Sequence, residues 1–255
     1  MKKEYHNLVQ EGLSRTSEFK TEVITDEEMA HLPPVVQKYL VYTGIAGKEK
    51  IINFRISCKG QIRSGENSGW MSFISEQYNF FDQPSRFFYI RAKKLGIPAT
   101  GLHVYKNETA SMVIKMAGLF KIVDARGPEM NQAETVTLFN DMCLLAPATL
   151  ISRNISWEII DPLTVNARFT NGSLKIGATL SFHEDGRMTN FISNDRYETT
   201  DGRTYKNSPW STPVSEYKDF GDFRLASMAD LIYHRPEGDF CYGKFIIDRV
   251  EYNCK

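Results

Sequence analysis

The sequence predicts a mainly β fold of the α+β kind, a single long antiparallel sheet curved into a half-barrel around an internal helix, with further helices at the N-terminus. Three observations carry this expectation. From residue 51 onward, apolar residues recur largely at every second position, the period of a strand with one buried face. The strand-like runs follow one another through short turns rather than alternating with helices, which excludes a doubly wound parallel sheet. One segment, 128–145, breaks that rhythm with a long helical pattern between two groups of strands.

Each element has its own signal. Tyr5, Leu8, Val9 and Leu13 fall at helical spacing, so a short amphipathic helix opens the chain. Thr25 to Glu28 reads Thr-Asp-Glu-Glu, a capping box that starts a helical turn. Pro33 and Pro34 then suit a first helical turn, Val35, Val36, Tyr39 and Leu40 form the apolar face behind them, and Gly44 stops the helix. Residues 1–48 are therefore read as a helical lead-in packed on the core, and 49–255 as a single β domain.

Ile52, Phe54, Ile56, Cys58 and Ile62 alternate with polar residues, as in a strand buried on one face. The next run, WMSFISEQYNFF from Trp70, has large residues on both faces and is expected to be covered on both sides. Strands follow at 86–92, 100–106, 109–115 and 119–126, and the helix from Pro128 to Leu145 ends before Pro147. In TVNARFTNGSLKIGATLSF the Asn171-Gly172 pair signals a two-residue hairpin loop, pairing Phe169 with Leu174, Ala167 with Ile176 and Val165 with Ala178. A turn at Glu184 to Arg187 and two more strands, near 223–234 and 241–252, complete roughly eleven strands.

Composition narrows the function classes. At 42% hydrophobic and 24% charged residues, the chain has ordinary globular composition and can bury a full core. Basic and acidic residues balance at 31 each, so no global field steers it toward nucleic acid, and no nucleic-acid partner is expected. No segment reaches the roughly 20 apolar residues of a membrane helix, so no integral membrane segment is expected. As written the chain reads as cytoplasmic, and as periplasmic or membrane-anchored if a leader has been removed. Cys58, Cys143, Cys241 and Cys254 lack CxxC spacing and read as reduced packing residues. Histidines 6, 31, 103, 183 and 234 lack metal-ligand spacing, and phosphate-loop and nucleophile-elbow motifs are missing, so no metal or cofactor is expected.

The candidate site residues are polar groups out of place. Glu76 shares a strand face with Trp70, Ile74, Tyr78 and Phe80; unpaired it would act like a general acid with a raised pKa, and paired it is structural. On the 128–145 helix, Glu134, Thr137 and Asp141 form one polar stripe, with Phe139 and Met142 among the apolar residues. Arg126-Gly127-Pro128 precedes that helix, where Arg126 either clamps an anion at the helix start or pairs with Asp124, Glu129 or Glu134. In strand 187–196 a two-residue loop would turn Thr189, Ser193 and Asp195 inward, and a three-residue loop Asn190, Asn194 and Arg196. Either register brings polar groups to the inner face, where they need partners, water or a ligand, unless the strand end points into solvent.

WMSFISEQYNFF, DARGPEMNQAE, Trp157 with Ile160-Asp161, and PEGDF with CYGKF resemble a bacterial family of unknown function sharing a Trp-Met-x-Phe-x-x-Glu-Gln-Tyr strand and an Asp-Ala-Arg-Gly-Pro-Glu corner. The resemblance covers residues 30–252 and implies no catalytic residue. The layout is also similar to the LolA-like half-barrel of periplasmic lipoprotein carriers, which implies a concave apolar groove for a lipophilic ligand.

These readings converge on a protein that binds a small or lipid-like ligand in a concave groove lined by Trp70, Tyr78, Phe139, Met142 and Trp210, with Arg126 or Arg196 meeting its polar end. The alternatives are a metal-free enzyme using Glu76, Glu134 or Asp141 with Arg126, and an interaction module without a pocket. An enclosed cavity with a carboxylate would favour the enzyme, and an open apolar groove the binding protein.

Overall fold

In the computed structural model, which describes residues 1–20, 22–94 and 96–255, the chain enters its sheet in the middle and fills it in two directions. Strand β1 (Asn53–Ile62) lies centrally, and β2 (Met71–Phe80), β3 (Ser85–Lys94), β4 (Ile97–Lys106), β5 (Thr109–Met116) and β6 (Phe120–Arg126) step outward as a meander to one edge. Helix α4 (Pro128–Leu145) carries the chain across to the opposite edge, passing between the two wings of the sheet. A 3-10 turn at Pro147–Ile151 leads into β7 (Ile155–Asp161), from which β8 (Thr164–Asn171), β9 (Leu174–Phe182) and β10 (Met188–Ser193) step back inward. The short strands β11 (Tyr197–Glu198) and β12 (Lys206–Asn207) pair as a separate ribbon. β13 (Trp210–Ser211), β14 (Val214–Phe220), β15 (Phe223–Arg235) and β16 (Gly238–Tyr252) then close the sheet onto β1. All pairings within the sheet are antiparallel, which the short turns require.

The expected half-barrel around an internal helix is what forms. The 128–145 helix matches its predicted limits, but it is not an ordinary amphipathic helix. Thirteen of its residues are buried, Glu134, Thr137 and Asp141 included, because sheet wraps it on both sides. The capping box at Thr25 and Glu28 forms reciprocally, at 3.3 and 3.1 Å.

N-terminal helix α1 (Lys2–Thr16) packs on the convex face, where Tyr5, Val9 and Leu13 meet Phe80, Phe87 and Leu102. The approach is close enough that a Cβ on Gly12 would overlap the Phe80 ring at 2.3 Å. Helices α2 (Asp26–Met29) and α3 (Pro34–Tyr42) join the main core instead, and the Tyr39 hydroxyl donates to the Cys143 carbonyl of α4 at 2.8 Å.

Two registers differ from expectation. The β8–β9 hairpin pairs Phe169 with Ile176 and Val165 with Leu180, so its loop is Gly172-Ser173 rather than Asn171-Gly172. Gly172 takes φ 57° while Asn171 stays in the ladder, the pattern of a turn with glycine in its first central position. Glu108 braces the shifted loop by accepting from the Ser173 amide and hydroxyl at 2.7 and 2.6 Å. The shift of two preserves side-chain parity, so the same face stays buried. In β10, an irregularity between Met188 and Asn190 adds a residue, and Met188, Phe191 and Ser193 all face inward. Neither uninterrupted register describes that strand: Ser193 is buried on the face of Phe191 at the end of β10, and Arg196 lies beyond the strand, past a bend at 194–195, so these residues, assigned to alternative registers, both come to be buried.

Candidate ligand cavity

Alternation along four adjacent strands determines what faces α4. On β2 the inward residues are Phe73, Ser75, Gln77 and Asn79, and cross-strand pairing carries that face through β3, β4 and β5 in rows. The first row is Asn79, Arg86 and Tyr105; the second is Gln77, Phe88, His103 and Met112. The third is Ser75, Ile90, Gly101 and Ile114, and the fourth Phe73, Ala92, Ala99 and Met116. The wall thus changes from polar to apolar along the strands over about 20 Å, six residues at the rise of a strand. Ile90 fills the space over Gly101, but the small residues Ala92 and Ala99 leave space unfilled, and a cavity of about 440 Å³ lies between this wall and α4. It reaches half-buried Arg63 and exposed Ser64 and Ile122 near the hairpin ends of the sheet, where its mouth lies. Exposed Leu119, Phe120 and Ile97 stand at the same end of the sheet.

The polar end is a buried charge network. Arg86 donates through Nε to Asp141 Oδ2 at 2.8 Å, through Nη1 to Glu134 Oε2 at 3.1 Å, and through Nη2 to Gln77 Oε1 at 2.9 Å. Gln77 and Asn79 also donate to Asp141 Oδ2, at 2.8 and 3.0 Å. His103 Nδ1 stands 3.6 Å from Glu134 Oε1.

The two carboxylates respond oppositely to burial. For Glu134 the desolvation penalty is outweighed by His103, Arg86 and Arg196 together, and its pKa falls to about 2. For Asp141 desolvation exceeds the attraction of Arg86 and the amide donors, and its pKa is raised. Burial also pushes the Cys58 thiol on the cavity wall up to about 12, leaving it a poor nucleophile.

Four of the ten residues singled out in the sequence line the cavity: Glu134, Asp141, Arg196 and Trp210. The others do not. Trp70 lies beneath the Arg63 guanidinium, 4.7 Å from its ring centre. Glu76 faces the convex side and pairs with Arg55 at 2.5 Å, and Tyr78 stacks on Phe80 beside α1. The expected pocket beside α4 is therefore touched by the other face of β2, through Met71, Ser75 and Gln77. Arg126 is exposed and donates to Asp124 at 3.1 Å, which is the structural alternative for that corner. Phe139 packs against Phe169 and Phe191, and Met142 is buried in the main core. Gln77, Asn79, Arg86 and His103 were not singled out, although Gln77 and Asn79 continue the alternation of Phe73 and Ser75.

A wider groove of about 650 Å³, lined by residues that include Lys59, Gln61, Ser72, Met228 and Lys244, lacks such a buried charge network among the described residues. No described helix is long and apolar enough to cross a membrane.

The known structures that the chain resembles at low identity include the following three. A domain described as an outer-membrane lipoprotein-sorting protein from Vibrio parahaemolyticus is 9% identical, with TM-score 0.41, over 79% of this chain and 85% of that one. A LolA-superfamily protein from Nitrosomonas europaea is 7% identical, with TM-score 0.41, over 80% and 87%. A DUF1329-family protein from Desulfovibrio piger is 11% identical, with TM-score 0.44, over 80% and 86%. No curated protein matches the sequence. Residues 22–245 match the model of a family of unknown function, DUF6544, and the chain belongs to that family.

Proposed function

We propose that this protein binds a small or lipid-like molecule in the cavity between α4 and strands β1 to β5. The supporting observation is a space of about 440 Å³, open at one end, walled by Ile56, Phe88, Ile90, Met112 and Ile114 and floored by a few converging polar groups. That volume and mixture are those of a ligand pocket. The test is native mass spectrometry of the purified protein, followed by titration with a lipophilic fluorophore. A bound molecule or saturable one-to-one binding is expected, and Ala99→Phe, which fills the mouth-side wall, should abolish it while the protein stays folded. Failure of the wild type to bind any apolar probe would sink the reading.

A metal-free enzyme is the second reading, favoured by the raised pKa of Asp141 and by two carboxylates on the wall of the cavity. Against it, Arg86 engages both carboxylates, the arrangement of a structural ion pair. Turnover of a bound ligand that is lost in Asp141→Asn but not in Ser75→Ala would support the enzyme.

A further inference from the structure

The buried charges of the cavity are unevenly partnered. Arg86 takes both buried carboxylates, Asp141 at 2.8 Å and Glu134 at 3.1 Å. Arg196, equally part of the wall, has no carboxylate within ion-pair distance among the described residues. Its Nη1 donates to the Ala133 carbonyl and the Thr137 hydroxyl of α4, and Trp210 covers the guanidinium at 4.7 Å. Tyr233 and Tyr242 are its other polar neighbours, Glu134 acts on it only at longer range, and its Nε is buried without a partner. An arginine keeps its charge in folded proteins, and a buried charge needs a counter-ion and filled hydrogen-bond positions.

We propose that Arg196 receives the anionic end of the cavity's ligand, a single-chain amphiphile ending in a carboxylate. The inference rests on the cavity reading above and adds the class of ligand. A carboxylate matches the planar donor fork of a guanidinium better than an ammonium or a neutral head could. The chain would run along the apolar rows from Ile90 and Ile114 toward Ala92, Ala99 and Met116 at the mouth. The whole wall, polar rows included, is about 20 Å long. A volume of about 440 Å³ suits one extended chain rather than a two-chain lipid.

The test compares four probes of equal chain length, hexadecanoate, hexadecanol, hexadecyl phosphate and hexadecyltrimethylammonium, on wild type and Arg196→Gln. Hexadecanoate should bind wild type at least about tenfold more tightly than hexadecanol, the minimum for a charge-assisted hydrogen bond. Arg196→Gln should erase that difference while still binding hexadecanol. Equal binding of acid and alcohol by wild type, or a difference that survives Arg196→Gln, would overturn the assignment and leave the cavity reading standing. Tighter binding of the phosphate would overturn the choice of carboxylate, and preference for the cation would overturn the anionic subsite. Binding of none of the four would remove the cavity reading itself. Should Arg196→Gln not fold, wild-type affinity for hexadecanoate against its methyl ester decides the question, with equal affinities contradicting the proposal.

Discussion

Helix α4 separates two wings of one sheet that treat it differently. On the β7 to β10 side the inward residues Val165, Ala167, Phe169, Ile176, Ala178, Leu180 and Phe191 are all buried and apolar, and Phe139 of the helix stacks on Phe169 with ring centres 5.2 Å apart. On the β2 to β5 side the inward face carries Gln77, Asn79, Arg86 and His103 at one end, where α4 is hydrogen-bonded, and the small residues Ala92, Ala99 and Gly101 toward the other, across the cavity from it. The first wing closes into a solid core and the second leaves a cavity. Both wings alternate equally well, so periodicity does not distinguish core from site. Volume and polarity on the inward face do. A helix buried on all sides can carry Glu134 and Asp141 only because one wing supplies an arginine and two amides to meet them.

The comparison can be broken most forcefully at Arg86. Arg86→Met strands two buried carboxylates and should cost about 3–5 kcal/mol, read as a fall of roughly 10 °C in thermal midpoint. Adding Glu134→Gln and Asp141→Asn should restore much of that loss, because the cost comes from uncompensated charge; an unrestored triple variant would show packing to be the cause instead. In the solid wing, Phe139→Ala should cost a similar amount, about 3–5 kcal/mol, through a new void. It should leave probe affinity unchanged, which titration checks directly.

A smaller effect separates the two carboxylates by pH. Glu134 has a folded pKa of about 2 against an ordinary value of 4.5, so its contribution is present above pH 4.5 and disappears as pH falls toward 2. That contribution is about 3 kcal/mol by linkage. Urea melts across that range should be steep for wild type and flatter for Glu134→Gln. Asp141 runs the other way: its raised folded pKa favours the protonated form, and stability is lost as pH rises through it. The smallest effect belongs to the convex face. Glu76→Gln breaks a half-exposed pair with Arg55 and should cost no more than about 1 kcal/mol, with ligand affinity untouched.

Local signals carried much of the architecture. Pro128 at a helix start, Pro147 beyond its end and continuous periodicity between them delimited α4, and the Asn-Gly pair located the β8–β9 hairpin although its loop begins one residue later. Faces and partners were harder. The β2 strand has large side chains on both faces, and only the packing of α1 against Phe80 shows which face is convex. Trp70, Glu76 and Tyr78 were consequently assigned to the wrong side. Arg86 escaped notice because its partners Glu134 and Asp141 are 48 and 55 residues away and no local spacing joins them. Arg196 was ambiguous because β10 ends at Ser193 and a bend at 194–195 follows, so no strand register, in either parity, reaches it.

The difference between the two wings is tested most directly by methyl NMR during titration with hexadecanoate. Methyl signals of Ile56, Ile90, Met112 and Ile114 should shift saturably at one equivalent, while those of Val165, Ile176 and Leu180 stay where they are. Shifts of equal size in both wings, or shifts confined to the exposed Leu119 and Ile122, would contradict a ligand site beneath β2 to β5.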